Sequence, residues 1–161
     1  MSHKAAMKNQ KQNSPGSAIL FIADDPSQAL EKAAVFWKYK KIACFRDTSR
    51  KDDYGAMSKD QAEEIKDYAQ SVSGSVHTLI ISCPAGISRS PAIAAGILKG
   101  LGYSDMLIWK NPAYSPNVLC YQRMLKAFGK SRIPVPFKKH ASKCAFRDSI
   151  RRARKRRGSN K

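Results

Sequence analysis

Acidic residues are scarce in this chain. Twelve Asp plus Glu stand against 30 Lys plus Arg in 161 residues, a formal net charge of +18, which turns the search for partners toward anions. Long apolar runs are missing too: nothing approaches the roughly 18 residues that a membrane-spanning helix needs. Residues 1–16 are polar, without the apolar centre of a secretory signal. Three histidines, His3, His77 and His140, stand at no metal-ligand spacing, so neither a metal nor another cofactor is expected. The four cysteines, at positions 44, 83, 120 and 144, are irregularly spaced, which argues against a disulfide framework. The expectation is a reduced, cytoplasmic protein, nuclear as well if the source is eukaryotic. A reversible bond from Cys83 to Cys44 or Cys120 is the redox alternative.

What is present is concentrated in residues 77–91, His-Thr-Leu-Ile-Ile-Ser-Cys-Pro-Ala-Gly-Ile-Ser-Arg-Ser-Pro. An apolar run from Thr78 to Ile81 ends at Cys83. A short loop follows, Pro84, Ala85, Gly86, Ile87 and Ser88, and then Arg89, Ser90 and Pro91. Ser90 suits a helix cap and Pro91 the first helical position. A strand feeding a loop that opens a helix aims backbone N–H groups and the positive end of a helix dipole at one point. An anion belongs there, and a sulfur beside it is favoured as thiolate.

Nucleophilic attack on a phosphoryl group needs this arrangement. Arg89 can grip two phosphate oxygens with its planar fork, as Lys cannot. Gly86 permits positive φ, so that successive amides curl around the oxygens. The Ser90 hydroxyl is placed to hydrogen-bond the sulfur and ease its departure. Spacing alone does not make the signal: Cys44 and Arg50 repeat it in Cys-Phe-Arg-Asp-Thr-Ser-Arg. That second match has no loop Gly, no Ser after the Arg and no helix start behind it, and reads as coincidence. For Cys83 the competing reading is a small buried hydrophobe at a strand end.

Cys-Pro-Ala-Gly-Ile-Ser-Arg-Ser resembles the signature loop of the cysteine-dependent protein phosphatases, specifically their dual-specificity branch. Tyr114-Ser115-Pro116-Asn117, followed by Tyr121, Gln122 and Leu125, resembles the segment and helix that this family places after its signature helix. The likeness covers roughly residues 17–129. It implies a two-step reaction through a phosphocysteine, with Cys83 as nucleophile, Arg89 and the loop amides as clamp, and Ser90 as thiolate partner. Two departures stand out. The family usually has His before the nucleophile where this chain has Ser82, and Pro84 removes one backbone donor from the cradle.

A carboxylic acid must protonate the leaving oxygen, and the family places it on a loop some thirty to forty residues before the Cys. Asp47, Asp52 and Asp53 fall in that window. Asp47 closes the apolar run Ile42-Ala43-Cys44-Phe45, at the edge where open α/β sheets gather their sites, and is the first candidate. Asp52 and Asp53 read more simply as solvated loop. Thr48 to Ser58 is polar, contains Gly55, and is a segment able to close over substrate. Asn117 reads as a helix cap; the resemblance adds a role bracing the phosphate loop. Tyr114 and Trp109 are candidate substrate-mouth residues, with burial in the core as the alternative.

The expected fold class is α/β, a single domain with a central, mostly parallel sheet flanked by helices, as in a dual-specificity phosphatase. Strands are read at Ala18–Ala23, Lys41–Phe45 and the run into Cys83, the last taken as central. Helices are read at Gln28–Tyr39, from a cap at Ser58 through Val72, from Pro91 to about Lys99, and at Asp105–Trp109 and Asn117–Phe128. Residues 1–16 are assigned to a flexible segment, 17–137 to the domain and 138–161 to a basic tail. That tail carries eleven basic residues and one acid, Asp148. It reads as disordered when free, with nucleic acid or an anionic membrane surface as partner, or as a solvated tail with none. Phosphoproteins rank first as substrates, RNA 5′-triphosphate ends second and phosphoinositides third. A phosphate-reading or nucleic-acid-binding protein on a phosphatase fold is the alternative of another class.

Overall fold

A computed structural model describes residues 1–8, 16–25 and 37–130. The basic tail and most of the helix expected from Gln28 lie outside the described residues. Three strands, β1 (Ser17–Ala23), β2 (Tyr39–Cys44) and β3 (Thr78–Ser82), form a parallel sheet in the order β2-β1-β3. Phe21 is paired with Ile42 on one side and Ser82 on the other. The α/β class read from alternating apolar runs is the class observed.

One assignment changes. β1, not β3, is the central strand, and its sequence explains why. Ala18 through Ala23 are all buried, as a strand covered on both faces requires. In β3, Thr78 is exposed and Leu79 and Ile80 are only half-buried, the pattern of a strand near an edge.

Helix α1 (His3–Lys8) places Ala6 on the face formed by Ile19, Phe21 and Ala23, together with Trp37. The sequence reading puts residues 1–16 outside the domain, but Met1 to Ser131 belongs to one compact unit. The docking is made largely by backbone hydrogen bonds to the end of β3, which leave no trace in side-chain hydropathy. Residues 9–15 are not among those described.

Helix α2 (Lys59–Ser73) starts where the sequence Ser-Lys-Asp-Gln predicts. Gln61 N–H donates to Ser58 Oγ at 3.0 Å, Ser58 N–H donates to Gln61 Oε1 at 2.9 Å, and Gln61 Nε2 reaches the Cys44 carbonyl at 2.7 Å. The cap thus ties α2 to the end of β2. Helices α3 (Arg89–Gly100), α4 (Met106–Lys110) and α5 (Val118–Ala127) complete the unit. Gly96 lets α3 and α5 approach closely: a Cβ there would lie 2.4 Å from Met124 Cβ. Buried Asp105 accepts from Trp109 Nε1 at 2.8 Å and from the Tyr121 hydroxyl at 2.7 Å, fastening α4 to α5. No helix among the described residues is long and apolar enough to cross a membrane.

Candidate active site

β3 delivers Cys83 to the carboxyl end of the sheet, and the chain then turns through residues 84–88 into α3. Gly86 has φ +72°, the left-handed conformation that glycine tolerates best. Its N–H thereby turns back to donate to Cys83 Sγ at 3.3 Å, while the thiol donates to Ser90 Oγ at 3.2 Å. Cys83 is 2% exposed. Pro84, Ala85 and Ile87 form the exposed outer lip of the loop. One sulfur is therefore held by a loop amide and a hydroxyl at the start of a twelve-residue helix.

The helix start differs from the sequence reading by two residues. α3 begins at Arg89 with Ser88 in the cap position, so Ser90 and Pro91 lie inside the first turn. Pro91 is tolerated there because N–H groups of a first turn need no helical partner. Ser88 makes no side-chain cap bond; its hydroxyl donates instead to Asp47 Oδ1 at 2.8 Å.

Arg89 is 4% exposed. Its Nη1 donates to the Phe45 carbonyl at 2.7 Å and the Ala23 carbonyl at 3.4 Å, and pairs with Asp24 Oδ1 at 2.7 Å. The carboxyl ends of β1 and β2 therefore aim the guanidinium. Nε is buried without a hydrogen-bond partner among the described residues, 4.0 Å from Asp47 Oδ2, too far for a hydrogen bond. A buried guanidinium with an unspent donor is a seat for an anion.

Asp47 stands at the same edge. Besides Ser88, Asn117 Nδ2 donates to its Oδ1 at 2.7 Å and to the Thr48 carbonyl at 3.1 Å. Asn117 also caps α5, accepting from Cys120 N–H at 3.1 Å, and its own N–H donates to the Ser88 carbonyl at 3.2 Å. The cap reading and the bracing reading thus describe two ends of one residue, and the side chain braces Asp47. Asp52 lies 3.6 Å from Arg50, both exposed, and Asp53 Oδ1 accepts from Gly55 N–H at 3.1 Å. Both belong to the local turn.

Comparison with known proteins adds little. No family model matches the chain, and no curated protein matches it. Among solved structures it is similar to one described as "Crystal structure of Tk-PTP in the active form", at 12% identity and a TM-score of 0.48, over 89% of this chain and 86% of that one. The site must be read from its own geometry.

Two further cysteines lie among the described residues. Cys44, half-buried at the end of β2, has its thiol pushed up by burial and then by the charge of Asp25. Cys120 is fully buried, and burial pushes its thiol far up; the Asp47 carboxylate adds to this and Arg89 opposes it. Trp109 is 2% exposed and committed to Asp105, so it lies in the core rather than at a mouth. Tyr114 lines a cavity of about 210 Å³ along the outer edge of β3, with Ile81, Pro91, Ala94 and Ile108.

Sequence reasoning missed Asp24. The rule that singled out Asp47, an acid closing an apolar strand, applies equally to Asp24 after Ala-Ile-Leu-Phe-Ile-Ala. It also missed Met1 and His3, which flank Cys83: Cys83 N–H donates to the Met1 carbonyl at 3.2 Å and His3 N–H donates to the Cys83 carbonyl at 3.0 Å.

Proposed function

We propose that this chain is a cysteine-dependent phosphatase that hydrolyses phosphotyrosine, and with it phosphoserine and phosphothreonine, in protein substrates. The observation that carries the reading is the environment of Cys83: a sulfur held by the Gly86 amide and the Ser90 hydroxyl at the start of the helix whose first residue, Arg89, has its Nε buried without a hydrogen-bond partner among the described residues.

In the first step the Cys83 thiolate attacks phosphorus in line, forming an S–P bond as the ester P–O bond breaks. Arg89 and the loop amides take up charge on the equatorial oxygens. Asp47 gives its proton to the leaving oxygen. Ser88 and Asn117 both donate to Oδ1, which leaves Oδ2 as the oxygen to carry that proton. In the second step Asp47 accepts a proton from water as that water attacks phosphorus; the S–P bond breaks, inorganic phosphate leaves, and the thiolate returns, eased by the Ser90 hydroxyl.

A formal net charge of +18 favours a second reading, in which the same loop acts on an RNA 5′-triphosphate end or a phosphoinositide. The test begins with para-nitrophenyl phosphate from pH 4.5 to 8 in the presence of chelator. Activity is expected in the wild type and in Cys44→Ser, loss in Cys83→Ser, and a deficit in Asp47→Asn that shrinks with a better leaving group. Turnover of RNA ends or phosphoinositides well above that of phosphopeptides would move the substrate assignment. No turnover in the wild type would refute the enzyme reading in favour of a phosphate-binding protein.

A further inference from the structure

The chemistry above leaves the N-terminal segment without a role, yet it touches the nucleophile directly. His3 N–H holds the Cys83 carbonyl and the Met1 carbonyl holds the Cys83 N–H. Gly86 completes the contact from the far side of the loop, where a Cβ would lie 2.4 Å from Ser2 N. The His3 side chain then turns inward. Its ring stands edge-on to Phe21, with centroids 5.7 Å apart and planes at 71°. The Nε2 atom is buried without a hydrogen-bond partner among the described residues, and so is the hydroxyl of Ser82, the residue before Cys83. The carbonyls of Ile22 on β1 and Ser82 on β3, the Arg89 guanidinium from α3 and the Asp24 carboxylate all act electrostatically on the ring. The imidazole thus packs on Phe21 of β1, within the field of the Arg89–Asp24 pair.

We propose that His3 is a positioning residue of the Cys83–Arg89 site, and that protonation of its ring frees the N-terminal segment from Cys83 and loosens the loop. A neutral imidazole costs much less in this place than a charged one. An imidazolium, formed by uptake of one proton from solvent, is opposed by the charge of Arg89, and Asp24 is already paired with Arg89 at 2.7 Å. Burial is the main force holding the ring's pKa below the ordinary histidine value. The carbonyls of Ile22 and Ser82 oppose it, Arg89 adds to it and Asp24 opposes it. Because the folded state gives up the proton more readily than the free ring, docking is complete above about pH 6.5 and weakens as pH falls below it. The effect on turnover rests on the phosphatase reading; the effect on the loop does not.

The experiment follows the full-length ¹⁵N,¹³C-labelled chain by NMR from pH 8 to 5, without substrate, in wild type and His3→Phe. Phe keeps an aromatic ring against Phe21 and cannot take a proton. In the wild type, the Cys83 and Gly86 amides should shift with the same midpoint as the His3 ring carbon, below pH 6.5, and that shift should vanish in His3→Phe. If His3→Phe does not fold, coincidence of the midpoints in the wild type decides alone. Cys83 and Gly86 amides that titrate identically in both proteins, or away from the His3 midpoint, overturn the proposal. In turnover, wild-type kcat/KM should fall by about a further factor of ten per pH unit below that midpoint relative to His3→Phe. Absence of turnover in both proteins would sink the phosphatase reading and leave the NMR result to judge His3.

Discussion

Replacing Gly86 by Ala tests the contact between loop and N-terminal segment in two separable parts. The first is conformational: φ is +72°, and an L side chain in the left-handed region costs roughly 1–2 kcal/mol. The second is steric. The added Cβ would fall 2.4 Å from Ser2 N, 2.5 Å from the Met1 carbonyl carbon and 3.0 Å from its oxygen, all backbone atoms with no side-chain freedom to yield. Relief requires the segment to move by about 1 Å, which sacrifices the Met1–Cys83 and Cys83–His3 backbone bonds at roughly 1 kcal/mol each. The sum is about 3–4 kcal/mol. Gly102 supplies the control, because it has φ +91° and no atom within 4 Å of the place a Cβ would take, so Gly102→Ala meets the first cost alone. At about 2–4 °C per kcal/mol for a domain of this size, Gly86→Ala should lower Tm by about 6–16 °C and Gly102→Ala by about 2–8 °C. Urea denaturation of both, with unchanged m-values, is the assay. Equal losses in the two variants would refute the reasoning, since the steric cost would then be absent.

Asp24→Asn leaves Arg89 Nη1 its two carbonyl acceptors but removes its charged partner, and should lower kcat/KM for para-nitrophenyl phosphate about tenfold; an unchanged value would mean that the carbonyls of Ala23 and Phe45 aim the fork unaided. Ser58→Ala removes one half of the α2 capping box and should cost about 1 kcal/mol in chemical denaturation, without a change in kcat. A loss below about 0.3 kcal/mol would count against the cap. The Tyr68 hydroxyl donates to the Ile19 carbonyl at 2.9 Å, and burial pushes it up to about 12. A raised acid binds its proton longer in the folded state, so its stabilisation is full below pH 10 and is lost as pH rises toward about 12. Tyr68→Phe should therefore flatten the alkaline limb of the stability profile, and an identical limb in both proteins would contradict that assignment.

Much of the architecture is legible because the local signals are strong and agree. The unbroken run Ala-Ile-Leu-Phe-Ile-Ala makes β1 a buried strand, and Ser58 with Gln61 fixes the start of α2. The approach of Cys83, Gly86 and Ser90 follows from a short loop whose length leaves little choice. What escaped depends on distance along the chain or on the backbone. Asn117 meets Asp47 across 70 residues, and no local pattern announces it. Asp24 sits beside Asp25 and Pro26, where a turn accounts for every residue without invoking Arg89. The rank of β3 is misread from sequence because its apolar run matches that of a central strand, while strand order is set by pairing. The pairing of Met1 and His3 with Cys83 uses N–H and carbonyl groups that every residue carries, so composition is silent about it. The helix start slips by two residues because Pro91 fits any position of a first turn, not only the first.

Asn117 has a consequence for what this protein tolerates. One amide side chain holds Asp47, the same residue's backbone holds Ser88, and its other side-chain atom is fixed to the start of α5. Asp47 and the loop at 84–88 are thereby registered to a common reference, and from the segment Ser49 to Ala56 the Gly55 carbonyl adds a hold on Arg46 N–H at 2.7 Å. Outside Gly55, the exposed turn at residues 50–54 is the part of that segment with most freedom to change. On the phosphatase reading proposed above, grafting an unrelated turn over residues 50–54 should alter peptide selectivity and leave para-nitrophenyl phosphate turnover within about threefold.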